Sequence, residues 1–562
     1  MKLSAMNKTT IRNLFFALLS ISPTCSFAQN DNRDLDGKEY IIVKDFKPTL
    51  SESRKISDRP TADTSTFNPG VQDYPFISRK AETVYETSSI SAVKIKDEPL
   101  PKLYRCYLKA GGGNYSKYLG ELSLNSLRSK KGAIGLSARH LSGEPSFEGF
   151  NNAAYSTNLA KLDGRYFLNN ARLDAELGFD QNVVRYYGVP DSEAIISDDT
   201  IRQRFTNLSA RAGITSTFTD SSKLQYSFSV GYSLLSDAFE ASENELRFLA
   251  GARKKFGEML LGTDVDVDVF TKQDAAFQLQ SNSSDLDRNI LRFNPYLGSR
   301  RGKILFKAGV RIESETNEDA KVRFFPQLDL KVPVAEGVLS LFANVDGGID
   351  KNNYHTVSAD NPFVNPAVTF RNTKRMIDIR GGLMGNISDD ISFSGSLSYV
   401  NFQDMQFYIS DSVRIYNFDL LYDDVSRYNL HAELNYRPSR KLGVSLRYDQ
   451  FNYKTDVQKY AWYLPNTLVT LKADYDLREK ILVKLAVFGV GSRYYVEMDS
   501  TGLQTFGKLK PYVDANLGFE YRYSKILSAF INFNNVGFVK YQQWYGFPME
   551  RLNMLGGITY SF

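Results

Sequence analysis

The chain has 562 residues, and its 69 Lys and Arg against 64 Asp and Glu give a formal net charge of +5. This near balance argues against a nucleic-acid-binding protein, which would carry a clustered basic excess. The apolar content of 42% argues against intrinsic disorder, and the aromatic content of 13% is high. Beyond residue 28 no run of about 18 apolar residues occurs, so no transmembrane helix is expected. A β-rich soluble protein and a membrane β-barrel remain.

Residues 1–28 have the features of a secretory signal peptide. A basic start and a short apolar core at 14–21 precede small side chains at Ser26 and Ala28, the two positions that a signal peptidase reads. The apolar core is too short to span a bilayer. An alternative interpretation is a lipoprotein signal in which Cys25 carries the lipid.

The remaining chain divides into two parts. Residues 29–102 are polar, contain six prolines and show no sustained hydrophobic period, which predicts a periplasmic or lumenal N-terminal extension. Residues 103–562 are a long series of segments in which apolar and polar residues alternate, and this part is the predicted barrel. After signal cleavage Cys106 is the single cysteine, so no intramolecular disulfide is expected.

The alternation distinguishes a membrane barrel from a soluble sandwich. Residues 224–232 place Leu, Tyr, Phe, Val and Tyr at every second position, and residues 264–269 alternate Asp with Val. Period two puts one residue type on each face of a strand. Charges and serines in the middle of the polar faces are typical of a wet lumen, and apolar faces that end in Tyr or Phe are typical of an aromatic girdle. The sequence therefore predicts an all-β fold, a transmembrane antiparallel β-barrel in the outer membrane of a Gram-negative bacterium.

Turn signals give the number of strands. Ten short turns, for example near 129–131 and 523–525, alternate with eleven other connections that include 352–371 and 405–424. These connections join about 22 strands, an even number that places both chain ends and the short turns on the periplasmic side.

Closure fixes the role of the two terminal strands. An unpaired backbone group in hydrocarbon is costly, so a first strand near Tyr104–Gly113 must pair with a last strand at Leu552–Phe562. The last strand places its apolar residues on one face and ends in an aromatic residue, which resembles the signal read by the barrel-assembly machinery. The residues of this predicted signal are Gly556, Ile558, Tyr560 and Phe562.

The residues before the last strand carry a family resemblance. An Asn-rich strand end at 530–535 is followed by Tyr541, a Gly-aromatic-Pro loop at 546–548 and Arg551. This pattern resembles the terminal hairpin of TonB-dependent receptors, and the estimate of about 22 strands is also similar to their barrels. The resemblance implies a receptor or transport role for an unknown ligand. It implies a TonB-type energy transducer or a surface lipoprotein as partner.

One segment departs from that family. Its members carry a folded plug domain considerably longer than residues 29–102, so the resemblance implies a plug that is missing or reduced. Within this extension Tyr40, Ile41, Ile42 and Val43 form a short β-prone stretch where the coupling peptide of the family would lie and bind its partner by strand addition. The alternative is a strand that pairs inside the lumen or with another periplasmic partner.

Other candidate sites are few. The three histidines are scattered without zinc spacing, and His431 beside Glu433 is expected to be a solvated lumen residue. The Asp264, Asp266 and Asp268 ladder is expected to face basic residues across the lumen, for example Lys307 and Arg311, with Ca²⁺ as the alternative. No catalytic, cofactor-binding or metal-binding residue is predicted.

Aromatic residues in the predicted external loops are candidates for ligand contact. Trp462, Trp544 and Tyr545 lie there among other tyrosines, and loop packing or an outer aromatic girdle is the alternative role.

Three functional hypotheses follow. The leading one is a non-enzymatic receptor or transport barrel that contacts outer-membrane lipid and is inserted by the barrel-assembly machinery. The second is a non-transporting docking barrel of a secretion or envelope-assembly complex, in which residues 29–102 bind the partner. An outer-membrane hydrolase ranks third.

Overall fold

The computed structural model describes most of the chain from Leu103 onward, namely residues 103–150, 152–188, 201–273, 289–316, 321–410, 417–498 and 504–562. The predicted signal peptide, the extension at 29–102 and its Tyr40–Val43 stretch lie outside the described residues. The division of the chain at residue 102 stays a prediction. No helix in the described ranges has the length and apolar content needed to span a bilayer.

The first thirteen strands of the barrel follow one another in chain order. They are β1 (Cys106–Gly113), β2 (Lys117–Asn125), β3 (Gly132–Gly143), β4 (Tyr155–Phe167), β5 (Ala171–Arg185), β6 (Arg202–Ser216), β7 (Gln225–Ser236), β8 (Ser242–Phe256), β9 (Met259–Gln273), β10 (Ile290–Arg301), β11 (Ile304–Glu315), β12 (Val322–Ala335) and β13 (Leu339–Asp350).

The rest of the chain begins with a helix, contains the other nine barrel strands and adds two small hairpins that stand apart from the barrel sheet. Its elements are α1 (Tyr354–Asp360), β14 (Thr373–Ser388), β15 (Ile391–Ser410), β16 (Phe418–Ser439), β17 (Leu442–Thr455), β18 (Thr467–Leu477), β19 (Ile481–Val490), the hairpin β20 (Arg493–Met498) and β21 (Gln504–Leu509), β22 (Tyr512–Arg522), β23 (Leu527–Asn534), the hairpin β24 (Gln542–Trp544) and β25 (Phe547–Pro548), and β26 (Asn553–Ser561).

The barrel sheet has 22 antiparallel strands, as the sequence predicts. Ten connections lie at the end of the barrel that holds residues 103 and 562, and the longest of them is 217–224. The other eleven connections lie at the opposite end and include 351–372 and 535–552. Short turns belong on the periplasmic side of outer-membrane barrels, so the long connections face outward from the cell.

The barrel closes where the sequence predicts. Strand β1 pairs with β26, in a register that runs from Tyr107 opposite Ser561 to Gly113 opposite Leu555. The amide of Cys106 donates to the carbonyl of Phe562 at 2.9 Å. No strand edge of this sheet is therefore presented to hydrocarbon, where backbone groups would find no partner.

Glycines line this seam because the backbones approach closely. A Cβ on Gly113 would lie 2.0 Å from the carbonyl oxygen of Met554, and one on Gly557 would lie 2.0 Å from that of Ala110. Contacts this short cannot be relieved by rotating a side chain, since the opposing atoms belong to the backbone. The glycine run in β1 therefore permits the pairing that closes the barrel.

The two faces of the wall differ as the alternation predicts. Val267 of β9 lies opposite Phe248 of β8 and Leu291 of β10, and this apolar row faces outward. The neighbouring residue Asp266 lies opposite Arg292 on the lumen face. A closed barrel with an apolar outer belt is the architecture of outer-membrane proteins, and the predicted outer-membrane location is confirmed.

The prediction of a loop at 405–424 is wrong. Strand β15 continues to Ser410 and β16 begins at Phe418, so most of this segment is a hairpin that extends beyond the barrel rim. A β-bulge between Phe402 and Met405, with Asp404 at φ 54°, bends the hairpin. Residues 405–409 are buried on both faces, which removes the alternation on which the sequence interpretation relied.

The assignment of faces makes a first prediction. Val267→Arg places a charge in the lipid near the middle of β9 and should lower the free energy of unfolding by about 2–4 kcal/mol. Asp264→Arg is the control, because this exposed side chain has the same parity as Asp266 and faces the lumen. Urea titration of the protein refolded in lipid vesicles measures both. An equal loss in the two variants would contradict the assigned faces.

Candidate functional site

Several external connections converge on a large hydrophobic cluster at the mouth of the barrel. We call this cluster the aromatic cap. Its side chains come from both halves of the ring and are nearly all buried. The aromatic members are Tyr186, Tyr187, Phe205, Tyr354, Phe363, Phe370, Phe402, Phe407, Tyr408, Phe418, Trp462, Tyr463, Trp544 and Phe547.

The connection 351–372 supplies the centre of the cap. Its helix α1 begins after Asn353, whose side chain accepts from the amide of Thr356, while the Thr356 hydroxyl accepts from the amide of Asn353. This capping box satisfies free amides at the helix start. Tyr354 and Val357 are fully buried and point into the cluster. A short capped helix thus places apolar side chains across the barrel mouth.

Buried polar groups fix α1 to the wall formed by β6–β8. The Tyr354 hydroxyl donates to Asp237 at 2.6 Å, and the Tyr354 amide donates to Glu243 at 2.7 Å. Gln203 of β6 donates to the same Asp237 at 2.9 Å. Burial and the nearby Asp237 carboxylate raise the pKa of Tyr354, so its hydroxyl stays a donor over the physiological pH range.

A second anchor fixes the cap to the opposite wall. The amide of Phe418, the first residue of β16, donates to the carbonyl of Phe363 at 3.0 Å. The amide of Asn365 donates back to the carbonyl of Phe418 at 2.9 Å, which makes a short parallel bridge. The Tyr408 hydroxyl donates to the carbonyl of Val357 at 3.2 Å. The connection 351–372 is therefore fixed on both sides of the ring.

A chain of ring contacts crosses the mouth. Phe547 stacks on Phe363 at 3.9 Å and lies 5.1 Å from Tyr187 and 5.8 Å from Phe418, measured between ring centroids. Tyr187 follows β5 and Phe418 begins β16, and these strands lie eleven places apart in a ring of 22. The rings thus join opposite walls across the external mouth of the lumen.

Two of the predicted ligand-contact residues pack inside the cap. Trp462 is 1% exposed; its ring lies parallel to Phe506 at 5.5 Å, and its Nε1 donates to Gln458 at 3.0 Å. Trp544 is buried against Tyr408 at 4.9 Å. Tyr545 is half-buried against the edge of the cap, where its ring stacks on that of another tyrosine at 3.9 Å. Ligand contact by these three residues stays a prediction.

The lumen wall below the cap carries paired charges. His431 Nδ1 lies 2.9 Å from Asp449, which also accepts from Arg447 at 2.7 Å, whereas Glu433 lies 3.9 Å from His431 Nε2. The carboxylate of Asp449 thus orients the imidazole and holds an arginine as well. This arrangement is a cross-strand ion-pair network on a polar wall.

The Asp ladder has other partners than the sequence suggests. Asp266 and Asp268 pair with Arg292 at 3.1 and 2.9 Å and with Arg247 at 2.7 and 3.4 Å. Lys307 instead places its amine 4.1 Å from the ring centroid of Tyr296.

Arg311 likewise has a different partner and pairs with Asp346 at 3.3 Å. The reason is the register: Arg247 and Arg292 lie on β8 and β10, which flank β9, whereas Lys307 and Arg311 lie on β11, two strands away. Among the described residues no group of His, Cys, Asp and Glu side chains could hold a metal ion.

The predicted assembly signal lies on the outer face of β26. Ile558, Tyr560 and Phe562 are exposed, whereas Leu555 on the other face is 1% exposed. Gly556 shares the outer face by its position in the strand. The recognition of these residues by assembly machinery stays a prediction.

Comparisons with known proteins agree on the fold. No protein-family model matches the chain, and a search of curated proteins finds no match either. Among solved structures, the siderophore receptor PirA from Acinetobacter baumannii is 9% identical with a TM-score of 0.63, covering 81% of this chain and 80% of that chain. The ferric enterobactin receptor PfeA from Pseudomonas aeruginosa is 12% identical with a TM-score of 0.62, covering 81% of each chain.

A third structure is similar to the same extent. The FrpB iron transporter from Neisseria meningitidis is 11% identical with a TM-score of 0.60, covering 82% of each chain. The chain therefore has the barrel fold of TonB-dependent receptors, and the predicted resemblance is confirmed at the level of the fold. These structural neighbours are transport receptors rather than enzymes.

The ring contacts at the mouth make a second prediction. Phe547→Ala removes a 1%-exposed ring from the centre of the cap and should weaken its packing by about 3–5 kcal/mol. Amide hydrogen exchange in residues 353–364 measures the loss. The control is Phe538→Ala in the same connection, because that ring is 59% exposed. Unchanged exchange in the Phe547 variant would show that the cap does not depend on this ring.

Proposed function

We propose that the protein is an outer-membrane receptor that transports an unidentified ligand through its barrel and has no enzymatic activity. The observation that carries this proposal is the 22-strand barrel, which aligns with siderophore and iron receptors over about four fifths of both chains. Barrels of this size enclose a wide lumen, which in transporters is plugged.

The aromatic cap acts as the external gate in this proposal. It covers the entrance while a polar, ion-paired wall lies below, so a ligand must displace the cap in order to reach the lumen. Anchors on both walls hold the cap closed when no ligand is bound. The packing of Trp462 and Trp544 inside the cap makes them gate residues, and Tyr545 at its edge remains the candidate for first ligand contact.

The N-terminal segment and the last strand are the proposed binding sites for partner proteins. We assign residues 29–102 to a reduced lumenal or periplasmic segment, with Tyr40–Val43 as the strand that a TonB-type transducer would bind by strand addition. Gly556, Ile558, Tyr560 and Phe562 form the signal for the barrel-assembly machinery. A surface lipoprotein is the expected partner at the external end.

A docking barrel is the second candidate function, and the closed cap favours it. A barrel that only recruits other envelope proteins has no need of an open entrance. Its cap would be a permanent closure, and residues 29–102 would be the partner-binding arm. This candidate predicts stable co-purification with envelope proteins and no gated pathway.

Conductance in planar bilayers separates the two candidates. The full chain should conduct little, since the cap covers the lumen, and Phe547→Ala combined with deletion of residues 30–102 should produce large, stable channels. The single changes report the separate contributions of cap and segment, and Phe538→Ala is the matched control. If the combined variant folds, as judged by heat-dependent mobility on SDS gels, and still conducts no better than the full chain, the transport proposal fails.

A further inference from the structure

Arg427 is a buried cation on the lumen face of β16. It is 6% exposed, and its guanidinium carbon lies 5.0 Å from the ring centroid of Phe402 and 5.8 Å from that of Phe451. Its Nε is buried without a hydrogen-bond partner, and no described residue forms an ion pair with Arg427. Acids of this wall such as Asp266 and Asp449 are paired with arginines, whereas the guanidinium of Arg427 contacts ring faces instead.

The nearby carboxylates are already engaged. The strand register places Asp378 in the row of Arg427, two strands away across Val400. Asp378 pairs with Arg375 at 3.5 Å, and Arg375 also holds Asp350 at 3.0 Å. Asp378, the acid that the register places in the row of Arg427, is therefore paired with a different guanidinium.

A second arginine strengthens the local positive charge. Arg380 lies in the next row toward the periplasm, in register with Ser398, which in turn faces Asn429. Its side chain is half-buried, and no described residue forms an ion pair with it. Ser398 and Asn429 add a hydroxyl and an amide that can donate hydrogen bonds between the two arginines. The row below continues with Ser396 and His431.

The position of this group relates it to the gate. Phe402, which contacts the Arg427 guanidinium, is itself a member of the aromatic cap. Arg427 thus lies directly beneath the cap, where the apolar closure meets the polar lumen. A ligand that displaces the cap reaches this wall first.

We propose that Arg427 and Arg380, with Ser398 and Asn429 between them, form a binding site for the carboxylate or phosphate group of a small anionic ligand. A guanidinium presents a planar set of donors that matches the oxygens of such a group, and ring faces on either side keep it in one orientation. A buried charge without a partner is unfavourable, and an oxyanion would relieve that penalty. The ligand of the proposed receptor is therefore an anion.

Anion binding to the purified full chain in detergent tests the site. Citrate and inorganic phosphate serve as probes for the two oxyanion types, titrated calorimetrically at constant ionic strength. Arg427→Gln and Arg380→Gln should each weaken the binding of at least one probe tenfold or more. The control is Arg172→Gln, which removes a lumen-facing arginine of β5 that is paired with Asp174 at 2.9 Å and should bind as the unmodified chain does.

The Arg380→Gln variant separates loss of binding from misfolding, because Arg380 is half-buried and its replacement leaves the packed rings around Arg427 intact. Heat-dependent mobility on SDS gels confirms that each variant is folded, and Arg427→Lys should retain part of the affinity because it keeps the charge. Binding of neither probe by the full chain, or equal affinity in both glutamine variants and the control, overturns the proposal. The inference takes its biological meaning from the proposed receptor role, but binding needs no transport. If the chain binds citrate but never conducts, the proposed anion site stands and the proposed transport function fails.

Discussion

The pairing of every backbone amide and carbonyl within the membrane is the constraint on which this structure depends. Hydrocarbon offers no hydrogen-bond partner, so a sheet can cross it only as a closed ring. The chain meets this condition by bringing β1 to β26, and glycines at Gly113 and Gly557 allow the two backbones to approach. Alternation follows from the same ring, because every second side chain faces lipid and its neighbour faces the lumen. The position of all other features, including the cap and the arginine site, is set by this closure.

The closed ring encloses a wide lumen, and different interactions stabilise its external end and the wall below. The external end is stabilised by apolar packing, in which rings from opposite walls meet at Phe547. The connection 351–372 is fixed there through Asp237 on one side and Phe418 on the other. Below the cap the wall carries charge pairs such as Asp449 with Arg447. Arg427 lies at the border between these two regimes, where rings contact the guanidinium and no described acid pairs with it. That combination is the reason to treat the border as a ligand site rather than as wall.

Much of the barrel could be predicted from the sequence because its physics is local and periodic. Turn signals predicted about 22 strands, and the period-two pattern predicted the two faces. The need to pair every backbone group predicted the closing pair, and the structure agrees with each of these predictions. The cap could not be predicted in the same way. Residues 405–409 lose their alternation when both faces are buried, and the contact of Phe363 with Phe547 joins segments far apart in the chain. The prediction of the ion-pair partners was wrong for a related reason. Asp266 pairs with Arg292 rather than with Arg311, and this choice depends on the register of neighbouring strands, which the sequence alone does not define.

A disulfide across the seam tests the closed ring most directly. Tyr107 and Ser561 are opposite residues of β1 and β26, near the periplasmic end where an oxidant has access. In a chain whose Cys25 and Cys106 are replaced by serine, Tyr107→Cys with Ser561→Cys should form an intrachain disulfide in native membranes, seen as a faster band on heated, non-reducing SDS gels. The off-register pair Tyr107→Cys with Thr559→Cys should form much less. Absence of the first cross-link, or its formation only between chains, would contradict a barrel closed by these two strands.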